Sequence, residues 1–205
     1  MTHHLAVHAR AQSSRQRQTP EDIGRLVRAA GAGDQRAWEC LVTEFSGMIW
    51  AVARAHRLND ADSADVAQTS WLALLQHIEQ LNEPAAVGAW LATTARRECL
   101  RVLRTGTRTH PFGDDAPEGE AADPAPGDQL LARERDEALW RSFSQLNPSD
   151  QALLRLLLAE PRPAYEEIAA ALDMAIGSIG PTRQRALKRL RRQLENHGTR
   201  ELMAV

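Results

Sequence analysis

An all-α fold, built from two small helical units joined by a flexible acidic linker, is predicted for this chain of 205 residues. Apolar residues recur at three- and four-residue spacing through two long segments, and no stretch sustains the alternation of β-branched residues that is typical of strands. A segment rich in proline, glycine and acidic residues separates the two. No apolar run approaches the roughly 18 residues of a membrane span, so membrane insertion is excluded.

The first unit is predicted over residues 19–105 as a bundle of four helices. It follows an arm, residues 1–18, that has no hydrophobic period and is expected to be disordered. Thr19 and Asp34 are good N-caps, as is Asn59, and Pro20 suits a first helical position. Pro84 ends the third helix or starts the next one.

The linker is predicted over residues 106–129, and the second unit over residues 130–197, followed by a tail at 198–205. Residues 106–130 hold six acidic residues against one arginine, with almost no large apolar side chain. Such a segment stays solvated, so the two units are expected to fold separately. Within the second unit, a helix is predicted to start at Asn147 and Pro148, and Pro161 and Pro163 are expected to end it.

A helix-turn-helix is predicted near the end of the second unit. A short helix at Tyr165–Leu172 precedes a tight turn at 173–177, and Ser178 is expected to cap the next helix. In that helix Ala186, Leu187, Leu190 and Leu194 are expected to face the core.

The helix that follows this turn is strongly basic. Residues 181–192 contain six basic residues and no acid, although the whole chain has a net charge of −2. A DNA-reading helix needs such a division between an apolar back and a cationic face. The alternative is a solvated basic helix end favoured by the helix dipole.

These motifs together resemble the bacterial RNA polymerase sigma factors of the extracytoplasmic-function group of the sigma-70 family. The resemblance covers residues 20–195. It is carried by Asp65-Val66-Ala67-Gln68 with Trp71-Leu72 in the first unit, and by Glu167-Ile168-Ala169 through to Arg192 in the second. It implies a factor that binds the β and β′ subunits of core RNA polymerase, recognises the −35 and −10 promoter elements and promotes DNA opening. A cytoplasmic location is expected on separate grounds, because two cysteines are too few for a disulfide framework and no hydrophobic export segment precedes them. An anti-sigma protein is a further partner that the resemblance allows.

For the first unit, the resemblance implies two binding surfaces. Core polymerase would be bound by Asp65, Gln68 and Trp71. The loop 81–88 would capture an unstacked base of the −10 element, and the helix after it would hold the single strand; the implied residues are Asn82, Glu83, Trp90, Thr94, Arg96, Arg97 and Arg101. The alternatives are an exposed polar helix face for Asp65 and Gln68, and a core position for Trp90.

For the second unit, the resemblance implies contacts with the −35 duplex in the major groove. The implied residues are Ser178, Thr182, Arg183, Arg185, Lys188, Arg189 and Arg192. Family members often have Lys-Ser-Arg where this chain has Gly180-Pro181-Thr182, which leaves open which side chains contact bases. Another face of this unit would dock on the β-subunit flap. The linker would lie in the nucleic-acid channel of the polymerase, or serve as a simple tether.

Two other classes of protein compete with this interpretation. A stand-alone regulator would join a helical sensing domain to a helix-turn-helix that binds an operator as a dimer. An enzyme is not expected, because the sequence has no nucleophile elbow, no metal-spaced ligand pair and no phosphate-cradling loop. No catalytic residue, metal or cofactor is therefore predicted. Cys40 and Cys99 occupy apolar helical positions, where packing is the expected role.

Overall fold

The computed structural model describes residues 18–105 and 136–203, the last seven of these as backbone only. All regular structure in these two segments is helical, which confirms the predicted all-α fold. No helix among them is both long and apolar enough to cross a membrane. The predicted arm as far as residue 17, the whole predicted linker, and residues 130–135, 204 and 205 lie outside the described segments. The helices are α1 (Pro20–Gly31), α2 (Gln35–Ala55), α3 (Asp60–His77), α4 (Val87–Thr105), α5 (136–144), α6 (Pro148–Leu158), α7 (Tyr165–Leu172) and α8 (Ile179–Met203).

The helix starts follow from side chains that satisfy the free amides of the first turn. At α1 the hydroxyl of Thr19 accepts a hydrogen bond from the amide of Asp22 at 3.2 Å, and the Asp22 carboxylate accepts one from the amide of Thr19 at 3.3 Å. This reciprocal pair is a capping box. Asp34, Asn59 and Asn147 cap α2, α3 and α6 through single side-chain oxygens, as the sequence predicts.

The first unit packs α1 to α4 around large apolar side chains that are wholly inaccessible to solvent, Leu41, Ile49, Leu74 and Leu91 among them. Cys99 belongs to this core, and burial raises the pKa of its thiol to about 12. Cys40 is exposed on α2, so the prediction that it packs in the core is wrong. Periodicity placed it next to the apolar stripe, but among the described residues its side chain is left exposed.

The second unit shares the core of the first. Leu153 and Leu156 of α6, Ile168 of α7 and Ile179 at the start of α8 lie in the same cluster of buried side chains as Leu41. A smaller cluster within the second unit contains Leu146, Leu154 and Ala186. Separate folding of the two units was the expectation from the acidic linker, but in the described residues their buried side chains form one continuous core.

Two glycines of the first unit allow this close approach. A Cβ at Gly47 of α2 would lie 2.7 Å from Cδ of Pro161, and a Cβ at Gly88 of α4 would overlap the carboxylate of Glu167. Real Cβ atoms do not come so close to other heavy atoms. Pro161 therefore lies directly against α2 because Gly47 lacks a side chain. At Gly88 a Cβ would also lie 2.8 Å from Cε1 of Phe45, so this glycine is required by packing within the first unit as well.

Polar contacts surround the shared core. The guanidinium of Arg57 donates to the side-chain oxygen of Gln151, which is itself buried in α6. Arg96 of α4 pairs with Asp173, the residue that ends α7, at 3.0 Å. Asp173 adopts the left-handed conformation, with φ of 55°, which an aspartate tolerates better than most residues. Because the Asp173 side chain is 74% exposed, the Arg96–Asp173 pair contributes little to stability and mainly helps to align α7 with α4.

Replacing Ile168 by alanine is expected to destabilise the whole described fold. The side chain is fully buried where α7 meets the first unit, and its truncation leaves a cavity that costs about 2–5 kcal/mol. Urea unfolding of the full chain, followed by circular dichroism and by tryptophan fluorescence, measures the loss. Because the core is shared, both probes should report one coincident transition.

Leu158→Ala is the matched control for this measurement, because Leu158 is 79% exposed on α6. Its effect should stay within about 0.5 kcal/mol. Equal losses for the two variants would contradict the burial of Ile168 between the units.

Candidate functional site

A stripe of exposed residues runs along α3 on the side away from the core. Asp65 and Gln68 are both exposed, and Leu72 and Leu75 continue the same stripe at helical spacing. These leucines are 51% and 59% exposed. Large apolar side chains that stay exposed beside polar ones are typical of protein-binding surfaces. We call these four residues the α3 stripe.

Trp71 is not part of the α3 stripe. Its ring packs edge-on against Trp38 of α2 with centroids 5.9 Å apart, and it lies against the core. The structure therefore gives Trp71 a packing role and leaves it half-buried. The sequence analysis did not single out Leu72 and Leu75 as surface residues. Their spacing from Asp65, at seven and ten residues, was the available signal.

The loop before α4 presents the two residues predicted to read a base. Asn82 and Glu83 are exposed between two short 3₁₀ turns, Ile78–Gln80 and Pro84–Ala86. Glu83 and Pro84 line one wall of a groove, and Arg162 and Tyr165 of the second unit line the opposite wall. The loop 81–88 thus has a cavity beside it.

The predicted contacts on α4 fall on two sides of the helix. Trp90, Thr94, Arg97 and Arg101 share one stripe, at spacings of four, three and four residues. Trp90 is half-buried against the core, with its ring 6.3 Å from that of His77. The Thr94 hydroxyl donates to the Trp90 carbonyl at 2.9 Å. Arg96 lies on the other side of α4, where it pairs with Asp173, so the structure does not group it with these residues.

The helix-turn-helix has the predicted order but not the predicted cap. Between α7 and α8 the chain makes a 3₁₀ turn, Ile176–Ser178, and α8 begins at Ile179. The Ser178 hydroxyl donates to the carbonyl of Ala175 at 2.6 Å and does not cap α8. The prediction of a Ser178 N-cap is wrong, because the 3₁₀ turn runs directly into the helix and supplies its first bonds.

Helix α8 carries a row of cationic side chains opposite its buried face. Ala186 is fully buried, and Leu190 and Leu194 are half-buried. Leu187 is 43% exposed, so its predicted core position is wrong: it lies at the flank of the buried face. The row on the other side, which we call the cationic stripe, consists of Thr182, Arg185, Lys188, Arg189 and Arg192.

Arg183 is exposed on the opposite side of α8 from Arg185, outside the cationic stripe. Within the stripe, Arg185 donates to the hydroxyl of Thr182 at 3.0 Å, which joins its first two members. Arg183 therefore lies away from the other predicted −35 contacts, which share the cationic stripe.

Arg189 is anchored by a buried carboxylate. Its guanidinium pairs with Asp150 in the first turn of α6, whose side chain is only 3% exposed. The same carboxylate accepts a hydrogen bond from the side chain of Asn147 at 2.8 Å. A charge this deeply buried requires a partner, so Arg189 fixes α8 against α6 and is only partly available to a ligand.

His56, a titratable residue near these surfaces, is largely buried. The ring Nδ1 of His56 lies 2.9 Å from the carbonyl oxygen of Val52, and burial lowers the pKa of this histidine, with the positive charge of Arg96 adding to the effect. In the described segments, no group of three His, Cys, Asp or Glu side chains is placed to hold a metal ion.

The comparisons with known proteins agree with this arrangement. Residues 41–109 match the model for sigma-70 region 2. The chain is 29% identical over 170 residues to a probable RNA polymerase sigma factor, RfaY, of Xanthomonas campestris pv. campestris, covering 80% of this chain and 42% of that protein. It is 25% identical over 163 residues to the ECF RNA polymerase sigma-E factor of Escherichia coli K12, covering 75% and 84% of the two chains.

Among solved structures, a similar fold is that of CnrH in complex with the cytosolic domain of CnrY. The TM-score is 0.58 at 18% identity, and the match covers 85% of this chain and 97% of that one. At this identity the likeness concerns the fold.

An all-helical chain with a cationic helix-turn-helix is typical of a DNA-binding protein. Its relatives agree with that class. Residues 41–109 match sigma-70 region 2, and over three quarters or more of its length the chain is similar to RNA polymerase sigma factors, among them one of the extracytoplasmic-function group.

Replacing Arg189 by alanine should destabilise the second unit, because the buried Asp150 loses its cation. Hydrogen bonds to charged groups contribute about 1.5–3 kcal/mol, and a loss in that range is expected in the free energy of unfolding. Arg192→Ala removes the same side chain from an exposed position of the same stripe and should change stability by less than about 0.5 kcal/mol. Indistinguishable urea midpoints for the two variants would show that the Asp150 pair does not anchor α8.

Proposed function

We propose that this protein is a transcription initiation factor that binds core RNA polymerase, recognises −35 and −10 promoter elements and promotes opening of the duplex. One observation supports this most directly: a single chain presents both an exposed α3 stripe suited to a protein partner and a cationic stripe on a helix-turn-helix. This chain covers 42% of the length of the RfaY relative. The activity and partners are therefore proposed from the residues of this chain, and not carried over from the whole of that protein.

Core polymerase would be bound through the α3 stripe. Asp65 and Gln68 supply hydrogen-bonding groups, and Leu72 and Leu75 supply apolar area that is exposed in the free protein. Burial of apolar surface contributes about 25 cal/mol per Å². The family resemblance assigns the partner of this helix to the β′ subunit, and the flap of the β subunit to a face of the second unit.

The −35 duplex would be read by the cationic stripe. Arg185 and Lys188 are exposed on α8, where Arg185 contacts the Thr182 hydroxyl, and Arg192 follows one turn later. Arginine can grip guanine through two hydrogen bonds in the major groove, and each neutralised phosphate makes binding more sensitive to salt. Arg189 would support the stripe from its pair with Asp150.

The −10 element would be held as a single strand by the first unit. Asn82 and Glu83 offer hydrogen-bonding groups for an extruded base, and Arg97 and Arg101 offer charge to the backbone along α4. Trapping unstacked bases would then open the duplex by binding energy alone. Such a protein is an initiation factor, and its chemistry needs no cofactor of its own. The predicted cytoplasmic location follows from its polymerase partner.

An anti-sigma protein is the remaining proposed partner. CnrH, which shares the fold, was solved in complex with the cytosolic domain of CnrY. The groove between the two units and the exposed α3 stripe are the surfaces on which such a partner would act here. None of the comparisons favours the stand-alone regulator.

Run-off transcription with the purified full chain and core polymerase on a promoter library tests this proposal. Initiation should require both proteins and should select templates that share a −35 and −10 pair. Tight binding to duplex DNA without core polymerase, together with no initiation, would refute it in favour of an operator-binding regulator.

Arg185→Ala should weaken −35-dependent transcription by about 1–3 kcal/mol if this residue contacts a base. The matched control is Arg183→Ala, because Arg183 is equally exposed on the opposite side of α8. Transcription rates on templates with and without the −35 element separate base reading from general loss. Equal losses on both templates would argue against base contact by Arg185.

A further inference from the structure

The two units face each other across a groove of about 1210 Å³. Two buried side chains of α2, Phe45 and Met48, line it together with Pro84 and Pro161. Sites for small molecules measure about 300–1,000 Å³, so this groove is large enough for a segment of polypeptide. Because protein interiors leave few voids larger than a water molecule, a groove with this apolar lining is suited to an occupant that brings apolar side chains of its own.

The charged residues that line the groove carry an excess of negative charge. Four carboxylates and two guanidiniums are present there: Glu44, Glu83, Glu166 and Glu167, against Arg28 and Arg162. Glu44, Glu83 and Glu166 form no ion pair within the described segments. Of the two cations, Arg162 already stacks on the ring of Tyr165, with its guanidinium carbon 5.7 Å from the ring centre. The charges of the groove therefore favour a cationic occupant.

We propose that residues 1–17, which belong to the predicted arm, dock in this groove as an intramolecular ligand. These residues include three arginines and no acidic residue, and they hold one short apolar run, Leu5-Ala6-Val7. Gln18, the next residue of the chain, lines the groove itself. The arm therefore enters at the groove, and it brings both apolar side chains and the positive charge that the lining favours.

The tether to Gln18 favours this docking. Leu5 precedes Gln18 by 13 residues, which span up to about 45 Å in an extended chain, whereas a body of the size described is about 40 Å across. A segment tethered beside its binding site has an effective concentration in about the millimolar range. Even weak contacts therefore keep the groove occupied, and a segment without a hydrophobic period can become ordered on binding.

The linker is a poorer occupant because of its charge. Residues 106–130 hold six acidic residues against one arginine, and these carboxylates would be repelled by Glu83 and Glu166 in the lining of the groove. The arm and the linker thus differ in the sign of their charge, and only the arm complements the groove.

Docking of the arm affects surfaces to which a function is proposed above. Glu83 and Pro84 belong both to the groove and to the loop 81–88, so a docked arm and an extruded base compete for them. A protein partner that enters the groove must displace the arm in the same way. These consequences rest on the proposed function, whereas the docking itself depends only on the groove and the arm.

Spin-label distances in the full chain test the docking. Cys40 is exposed on α2 and takes one label, and Ala9→Cys in the arm takes the other. Cys99 stays unlabelled because it is buried and its thiol, with a pKa of about 12, remains protonated. A docked arm should give one narrow distance distribution, because the groove fixes position 9 relative to α2.

Glu44→Gln combined with Glu166→Gln should release the arm. This pair removes two of the carboxylates that line the groove and keeps the size of both side chains. The matched control is Glu79→Gln combined with Glu137→Gln, which changes the net charge equally at two exposed positions that do not line the groove. We expect the first pair to replace most of the narrow component with a broad one, and the control pair to keep the narrow component.

Three results would overturn the docking: a broad distribution in the chain with all four glutamates, equal distributions for the two pairs of variants, or a narrow distance that arises between different molecules. The last is measured by mixing chains labelled only at position 9, with Cys40→Ser, and chains labelled only at Cys40. A narrow distance in this mixture would assign the groove to the arm of a second copy, and broad distributions throughout would leave it to a separate protein partner. Failure of the chain to bind core polymerase would refute the proposed function and leave these distances unaffected.

Discussion

The second unit depends on apolar surface that it buries against the first. Its helix α7 has only eight residues, and Ile168 and Ala171 on its inner face are completely inaccessible to solvent only because α4 lies against them. Leu153 and Leu156 of α6 are buried in the same cluster. A helix of this length has little stability of its own. The shared core therefore sets the position of the helix-turn-helix, and through it the direction in which α8 presents its charges.

That position is refined by one buried charge. Asp150 is held in the first turn of α6 by Asn147 and by Arg189, so the pair ties the start of α6 to the middle of the cationic helix α8. An exposed pair such as Arg96–Asp173 contributes far less, because water screens it. Arginine thus has a different role on each helix: Arg189 of α8 anchors a buried carboxylate, whereas Arg96 of α4 forms a weak surface pair. The burial of the aspartate partner makes the difference.

Local signals in the sequence predicted the helices well, because capping is settled within four residues. Thr19, Asp34, Asn59 and Asn147 all cap where expected. Apart from the Ser178 cap, which a 3₁₀ turn replaced, the errors concern what lies across from a residue in space. Periodicity shows that Leu72, Leu187 and Cys40 lie beside apolar stripes, but whether another helix covers them depends on tertiary packing. The shared core was missed for the same reason, since an acidic linker describes the connection between the units and carries no information about their surfaces. The cationic stripe, by contrast, was largely predictable, because residues at helical spacing share a face whatever the partner. Of the α3 stripe, the sequence indicated Asp65 and Gln68 but not the two exposed leucines.

Packing between the units fixes how the two stripes lie relative to one another. Separation of the units would expose Leu153, Leu156, Ile168 and Ile179, whose burial is favourable by roughly 1.5–3 kcal/mol for each large aliphatic side chain. The two units therefore stabilise one another, and the same burial holds the cationic stripe of α8 in a fixed position relative to the α3 stripe.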